Sequence, residues 1–328
     1  MNAMISEEAS VEIDTLSMLV NRKKKIAEEI FQFELVGADS SASLPRFTAG
    51  AHVEVLTRNG LKRQYSLCNA PSDRTHYVIA VKREAGGKGG SISMADELAA
   101  GDKILVSAPK NYFALDPKAT KCLFIAGGIG ITPILSMVRD LAQRGGEFRL
   151  VYCTRSAETT AFLPELAEPA FARRTTVHHD HGDRSRSFDL SAVLAQREEG
   201  THLYCCGPQP LMHAVREAAR HWPSESVHFE DFSPTVKLGK PGDAQFVVHL
   251  ARQHRDIDVP PGMSILDALR RNGMVVPSSC ESGTCGTCRT RCLGGVPDHR
   301  DYILDEDETG EIMTCVSRAR SDRLVLDL

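Results

Sequence analysis

Cys280, Cys285 and Cys288 stand as C-x4-C-x2-C in the stretch SSCESGTCGTC, and Cys315 follows in IMTCV. This is the thiolate spacing of a plant-type [2Fe–2S] cluster, in which soft, charged sulfur binds iron. Three ligands from one tight loop need small residues between them, and Ser282, Gly283, Thr284, Gly286 and Thr287 supply them. Such a loop can curl around a cluster and turn backbone N–H groups toward its sulfurs. Zinc and a disulfide pair are the rival uses. Zinc takes paired C-x2-C knuckles, of which there is one here, and disulfides need an oxidising compartment. Cys292 falls outside the ligand spacing. A strand leaving the loop should carry it into packing as a small hydrophobe.

Four further motifs could bind anions, flat rings or other ligands. In Arg63-Gln64-Tyr65-Ser66, Arg63 can pair with a phosphate, Tyr65 can lie on a ring, and Ser66 can reach a ring nitrogen. Its plainer reading is a strand with a surface arginine. Gly87-Lys88-Gly89-Gly90-Ser91 precedes a helix-like segment, 92–98, whose free N–H groups suit phosphate; a glycine turn is the alternative. Gly127-Gly128-Ile129-Gly130-Ile131-Thr132-Pro133 follows a strand, with Thr132 suited to an N-cap and Pro133 to the first helical position. It lacks the last glycine of G-x-G-x-x-G, so it predicts a different strand–loop–helix phosphate site. Tyr204-Cys205-Cys206-Gly207-Pro208 ends a strand where α/β sheets bind ligands; Cys205 reads as a buried, inert thiol.

These motifs need scaffolds. Up to residue 112, short alternating strands at 31–35, 52–56, 63–67 and 77–82 with glycine turns predict an antiparallel β-barrel. Between 113 and 232, apolar strands at 122–126, 150–154, 176–179 and 203–206 alternate with helices, the pattern of a parallel α/β sheet. Leu211, Val215, Ala218 and Trp222 make one apolar helical stripe. Residues 233–243 read as a linker. From 244 to 328, a hairpin (246–250, 255–259), a helix opened by Ser264 and closed by Gly273, and the cysteine loop follow the order of a β-grasp ferredoxin. The predicted fold is therefore multidomain.

The chain has 328 residues, 42% hydrophobic and 25% charged, with net charge −4. This is ordinary for a soluble protein of two or three domains and gives no reason to expect nucleic-acid or membrane binding. The acidic N-terminal segment is not a secretory signal, and no apolar stretch is long enough to span a bilayer. Ten cysteines without such a signal predict a reducing cytoplasm. The basic run Arg22-Lys23-Lys24-Lys25 is expected at a solvated strand edge.

In this order, R-x-Y-S, G-x-G-G-S, G-G-x-G-x-T-P, C-G-P and C-x4-C-x2-C resemble the ferredoxin–NADP reductase superfamily. RQYSLCNAP, IAGGIGITPILSM, YCCGPQPLM, VHFEDF and VPSSCESGTCGTC resemble more closely the phthalate dioxygenase reductase family, the one-chain reductases of two-component Rieske oxygenases. The likeness spans nearly the whole chain. It implies FMN, a [2Fe–2S] cluster on Cys280, Cys285, Cys288 and Cys315, and NADH as electron source. It assigns FMN to Arg63, Gln64, Tyr65, Ser66, Gly89, Gly90 and Ser91, with Ala80, Val81 and Lys82 along the pyrimidine edge. The Gln64 side chain should point away. Gly128, Gly130, Thr132, Thr154, Arg155, Cys206, Gly207 and Pro208 would receive NADH. Ser66, Thr132 and Cys206 would flank hydride transfer, and Phe232 would cover the ring where nicotinamide enters. No adenine-binding insertion is apparent, which favours FMN over FAD. The lone cation Arg155, opposed by Glu158, predicts preference for NADH.

The implied activity is conversion of hydride into single electrons for a Rieske oxygenase acting on an aromatic acid, met in a transient complex by a monomeric reductase. A different soluble acceptor and a subunit of a larger dehydrogenase complex are the alternatives. His178-His179-Asp180-His181 looks metal-like but alternates faces on a strand. Asp305-Glu306-Asp307-Glu308 reads as a solvated turn before it reads as a docking patch.

Overall fold

The computed structural model describes residues 15–39, 43–232, 239–278 and 280–328. Period-two burial builds the first unit. In β1 (Thr15–Ala27) Met18 and Val20 point inward, and in β2 (Ile30–Gly37) Phe33 and Leu35 do. With β3 (His52–Leu56), β4 (Lys62–Ser66), β5 (Tyr77–Lys82) and β6 (Lys103–Ser107) they form an antiparallel sheet ordered β4-β3-β6-β1-β2-β5. A bridge between Leu67 and Ile79, with Cys68 N–H donating to Val78 O at 2.7 Å, joins its two ends into a barrel. The short helix α1 (Gly90–Ile92) opens the segment after β5.

The basic run lies where β1 has run past β6: Thr15–Leu19 pair with β6, whereas Arg22, Lys23, Lys24 and Lys25 pair with β2 alone, which leaves their other side an edge. Arg22, Lys24 and Lys25 are exposed. Lys23 instead donates to Ala95 O at 2.6 Å and Leu98 O at 2.7 Å, capping carbonyls at the end of the turn after α1.

The second unit is a parallel sheet ordered β11-β10-β7-β8-β9. Its strands are β7 (Lys121–Gly127), β8 (Glu147–Thr154), β9 (Thr175–His179), β10 (Thr201–Cys206) and β11 (Val227–Glu230). Helices α2 (Ile131–Gln143), α3 (Leu163–Leu166), α4 (Pro169–Ala172), α5 (Leu190–Leu194) and α6 (Gln209–Ala218) cover it. The apolar stripe outruns its helix: α6 stops at Ala218, and Trp222 reaches the same core from the following turn, its indole donating to Leu194 O at 3.0 Å. Thr132 is not an N-cap. A 3-10 turn over Gly128–Gly130 starts the helix earlier, and the Thr132 hydroxyl donates back to Ile129 O at 3.0 Å.

In the third unit β12 (Phe246–Leu250) and β13 (Arg255–Val259) form the expected hairpin. Helix α7 (Ile265–Arg271) starts where Ser264 accepts from Asp267 N–H at 2.9 Å, and Gly273 follows it at φ 78°. Strands β14 (Arg289–Gly294), β16 (Glu311–Met313) and β18 (Arg323–Leu326) complete a sheet ordered β13-β12-β18-β14-β16, and β15 (Pro297–Asp298) pairs with β17 (Arg318–Ala319). Of the expected linker, residues 233–238 lie outside the described residues. Its last residue, Asp243, is gripped by Arg300 at 2.5 Å. Among the described residues no helix is long and apolar enough to cross a membrane.

Candidate functional site

The four motif cysteines fall into two pairs. Cys280 sits beside Cys285 and Cys288 beside Cys315, each pair close enough for one thiol to hydrogen-bond the other. Those bonds push Cys280 down to about 4 and lower Cys288, while Cys285 and Cys315 are raised, chiefly by the same pairing. Backbone N–H groups turn toward the sulfurs as the small-residue loop predicts: Cys280 N–H to Cys285 Sγ at 3.5 Å, Ser282 N–H to Cys280 Sγ at 3.4 Å, and Gly283 N–H to Cys315. The Thr287 hydroxyl lies 3.2 Å from Cys285 Sγ. Two thiolate pairs are what two bridged tetrahedral irons require, so the donor set fits a [2Fe–2S] group. Cys292 stands apart on β14, buried in the third unit's core, its thiol 3.4 Å from Gly294 O.

On the barrel, Arg63 lies against the start of α1. A Cβ on Gly90 would fall 2.6 Å from Arg63 Nε, so only glycine lets the guanidinium reach this turn. Asn59 ties Gly89 O at 3.2 Å, and Ser91 accepts from Glu84 N–H at 3.1 Å. Arg63 makes no ion pair among the described residues; with the helix start it forms a cationic cradle that suits a phosphate. Alternation sends Gln64 to the exposed opposite face. The Tyr65 hydroxyl is buried and without a hydrogen-bond partner among the described residues, and burial pushes it up to about 12. Ala80 and Val81 are buried on β5, and Lys82 is exposed beside Glu84.

The nucleotide motifs meet at the carboxyl ends of β7 and β10. A Cβ on Gly130 would fall 2.3 Å from Cys206 O, and Gly207 packs on Gly127, so the two loops touch glycine to glycine. Gly128, at φ 54°, faces open space, and Pro208 leads into α6. Thr132 and Cys206 are both buried. Thr154 is buried and shares a 2.7 Å hydrogen bond with Thr160, whereas Arg155 and Glu158 are exposed on the loop that follows. The histidine run disperses: His178 contacts Arg186 O at 2.6 Å and His179 contacts Thr160 at 3.1 Å. Residues 305–308 form an exposed turn.

The three units converge on Glu230, which motif reading passed over. In register, Cys206 lies opposite Glu230 on β11. The Glu230 carboxyl faces the Ser66 hydroxyl without a well-formed hydrogen bond and lies within electrostatic reach of Cys280. Its Oε2 is enclosed although the residue keeps some exposure, and burial pushes the acid up to about 8. Cys206 is also raised, first by burial and then by Glu230. His52, whose pKa burial lowers to about 4, lies near Cys280 on the barrel side. Phe232 follows at the same edge, 43% exposed. The signal for Glu230 was a carboxylate inside the strand run VHFEDF.

A further cluster of possible ligands lies away from these motifs. Asp116, His202 and His228 bring ligand atoms within 4.8 Å of one another at the far end of the sheet. His202 Nδ1 is 3.0 Å from His228 Nε2, with ring planes 10° apart and centroids 5.3 Å apart. Only rings meeting nitrogen to nitrogen in one plane give that combination. It is the geometry of an N–H···N hydrogen bond, whereas a tetrahedral metal needs the lone pairs to converge at an angle.

Comparison with known proteins agrees with this layout. Residues 248–320 match the 2Fe-2S iron-sulfur cluster binding domain, and residues 124–217 match the oxidoreductase NAD-binding domain. The chain is 51% identical to the phthalate 4,5-dioxygenase oxygenase reductase subunit of Pseudomonas putida, over 93% of this chain and 94% of that one. It is 48% identical to the phthalate dioxygenase reductase of Burkholderia cepacia, over 95% and 97%. A solved phthalate dioxygenase reductase structure superposes with a TM-score of 0.70 at 47% identity, covering 96% of this chain and 98% of that one.

Proposed function

This chain belongs to the phthalate dioxygenase reductase family, and on that premise we propose that it supplies electrons to a Rieske-type oxygenase acting on an aromatic acid of the phthalate kind. It is an NADH-dependent flavin and iron–sulfur oxidoreductase. When bound, FMN accepts hydride as an electron pair and yields electrons singly, and the cluster carries one at a time.

The protein's part is to hold, orient and exclude. Cys280, Cys285, Cys288 and Cys315 would hold the cluster, the loop N–H groups tuning it. Arg63, with Gly89, Gly90 and Ser91 at the α1 start, would anchor the FMN phosphate. Tyr65 and Ser66 would face the ring, and Ala80, Val81 and Lys82 would border it. Gly128, Gly130, Thr132, Thr154, Arg155, Cys206, Gly207 and Pro208 would receive NADH, with Phe232 closing the ring face until nicotinamide enters. Glu230, neutral below about pH 8, can donate a hydrogen bond toward Ser66 at this junction. All ten cysteines are free of disulfides, which supports work in a reducing cytoplasm. The reductase acts as a monomer that meets its oxygenase transiently.

The observation that carries this reading is the convergence on Glu230 of Ser66 from the first unit, Cys206 from the second and Cys280 from the third. Reconstitution with a purified phthalate-type oxygenase component tests it. NADH should drive formation of the dihydrodiol product. Full NADH–ferricyanide activity with no product from any aromatic-acid oxygenase would reject the acceptor.

A further inference from the structure

The cysteine loop reaches the flavin side through a small set of contacts centred on Tyr302 and Arg216. Tyr302 belongs to the third unit, yet its ring lies in the second unit's core, 5.2 Å from Phe229 and 5.8 Å from His213 between ring centroids. Its hydroxyl sits beside the Asp231 carboxyl. Its backbone N–H donates to Gly283 O, inside the cysteine loop, at 2.9 Å. One residue thus ties the loop to both sides of Glu230. Arg216, on α6, donates to Asp301 O at 2.5 Å and to Leu304 O at 2.6 Å. A planar guanidinium holding two carbonyls fixes orientation as well as distance.

The segment it grips is rigid. The buried Asp301 carboxylate accepts from Ile303 N–H at 3.0 Å, Leu304 N–H at 2.7 Å and the Ser317 hydroxyl at 2.9 Å. Gly283 fits tightly against it: at φ 76°, a Cβ there would fall 2.9 Å from Asp301 Cα. Helix α6 begins immediately after Cys206-Gly207-Pro208, so one helix carries the proposed nicotinamide contact at its start and the grip on the third unit further along.

We propose that Arg216 and Tyr302 form a latch that holds the cysteine loop at the flavin edge and thereby sets the rate of electron transfer from flavin to cluster. This rests on the cofactor assignments proposed above. The step moves one electron from NADH-reduced flavin to the oxidised cluster, and no bond to the protein forms or breaks. Arg216 and Tyr302 are positioning residues, because neither touches the reacting atoms.

The test compares wild-type holoenzyme with Arg216→Ala and Tyr302→Leu by anaerobic stopped-flow with NADH and by hydrogen exchange. Flavin reduction should stay within about twofold, while cluster reduction slows by at least about tenfold, the penalty of misplaced reacting partners. Exchange at the Ile303 and Leu304 amides should rise by about tenfold or more as the latch opens. Should Arg216→Ala lose its cofactors, Arg216→Gln, which keeps the helix but spans only one carbonyl, takes its place with the same expectation. Variants with full flavin and cluster absorbance, wild-type cluster reduction and wild-type exchange overturn the latch. A wild-type protein without flavin or [2Fe–2S] absorbance would instead overturn the cofactor assignments.

Discussion

Cys292 and Cys315 lie in the same small unit, both buried, and their neighbours give them different uses. Cys315 meets Cys288 and the Gly283 N–H. Cys292 meets apolar side chains and a lone carbonyl. Cys292→Ser should therefore keep the visible absorbance and the low-temperature EPR signal of a reduced [2Fe–2S] centre, whereas Cys315→Ser should lose or strongly alter both. The reverse pattern would mean the ligand set is wrong. Arg63→Ala should weaken FMN binding by roughly 1.5–3 kcal/mol through loss of a charge-assisted phosphate contact, read as flavin lost on dialysis with the iron–sulfur spectrum retained. Residues whose chemistry depends on close neighbours in the chain were legible: the cysteine spacing and Arg63 announce themselves. Glu230 was not, because an acid in a strand is unremarkable until Ser66, Cys206 and Cys280 arrive from elsewhere in the chain. The same holds for Tyr302, whose surroundings come from another unit.

Strands and helices followed from burial periodicity wherever the pattern was local. The expected strands at 52–56, 77–82, 246–250 and 255–259 coincide with β3, β5, β12 and β13, and the others differ only at their ends. Misses came where long-range contacts decide. Trp222 continues the α6 pattern but leaves the helix to reach the core from a turn, and Thr132 lost the cap position to the glycine turn before it.

The loop after β8 carries a prediction. Arg155 offers one cation and Glu158 opposes a 2′-phosphate, so kcat/KM should favour NADH; equal or better values with NADPH would refute this. Asp243 carries another. Hydrogen bonds from Arg300 hold its carboxyl down at about 2, against an ordinary 3.8. A depressed acid contributes stability that is complete above its unfolded value and lost as pH falls through its folded one. Asp243→Ala should destabilise the third unit by roughly 3 kcal/mol at neutral pH, since it leaves buried Arg300 with a partner missing. The gap in urea midpoints between wild type and variant should narrow as pH falls from about 4 toward about 2. A gap that does not change with pH would rule out this pairing as its source.

At the scale of the whole molecule, the barrel brings Ser66, the parallel sheet brings Cys206 and Glu230, and the third unit brings Cys280 to one junction. The order of the units was readable from the order of the motifs. Their docking was not, because it rests on Arg216 reaching two carbonyls and on Tyr302 entering a foreign core. On the function proposed above, this convergence would be the structural basis for turning a hydride into single electrons. Anaerobic mixing of the purified chain with NADH, followed by an oxidised Rieske oxygenase component and read by absorbance and low-temperature EPR, tests it most directly. The account predicts that flavin bleaches, the plant-type [2Fe–2S] signal appears, and the oxygenase's Rieske signal then grows as that signal decays. Flavin that bleaches without any cluster signal, or an oxygenase reduced equally well by the Cys280→Ser protein, would contradict it.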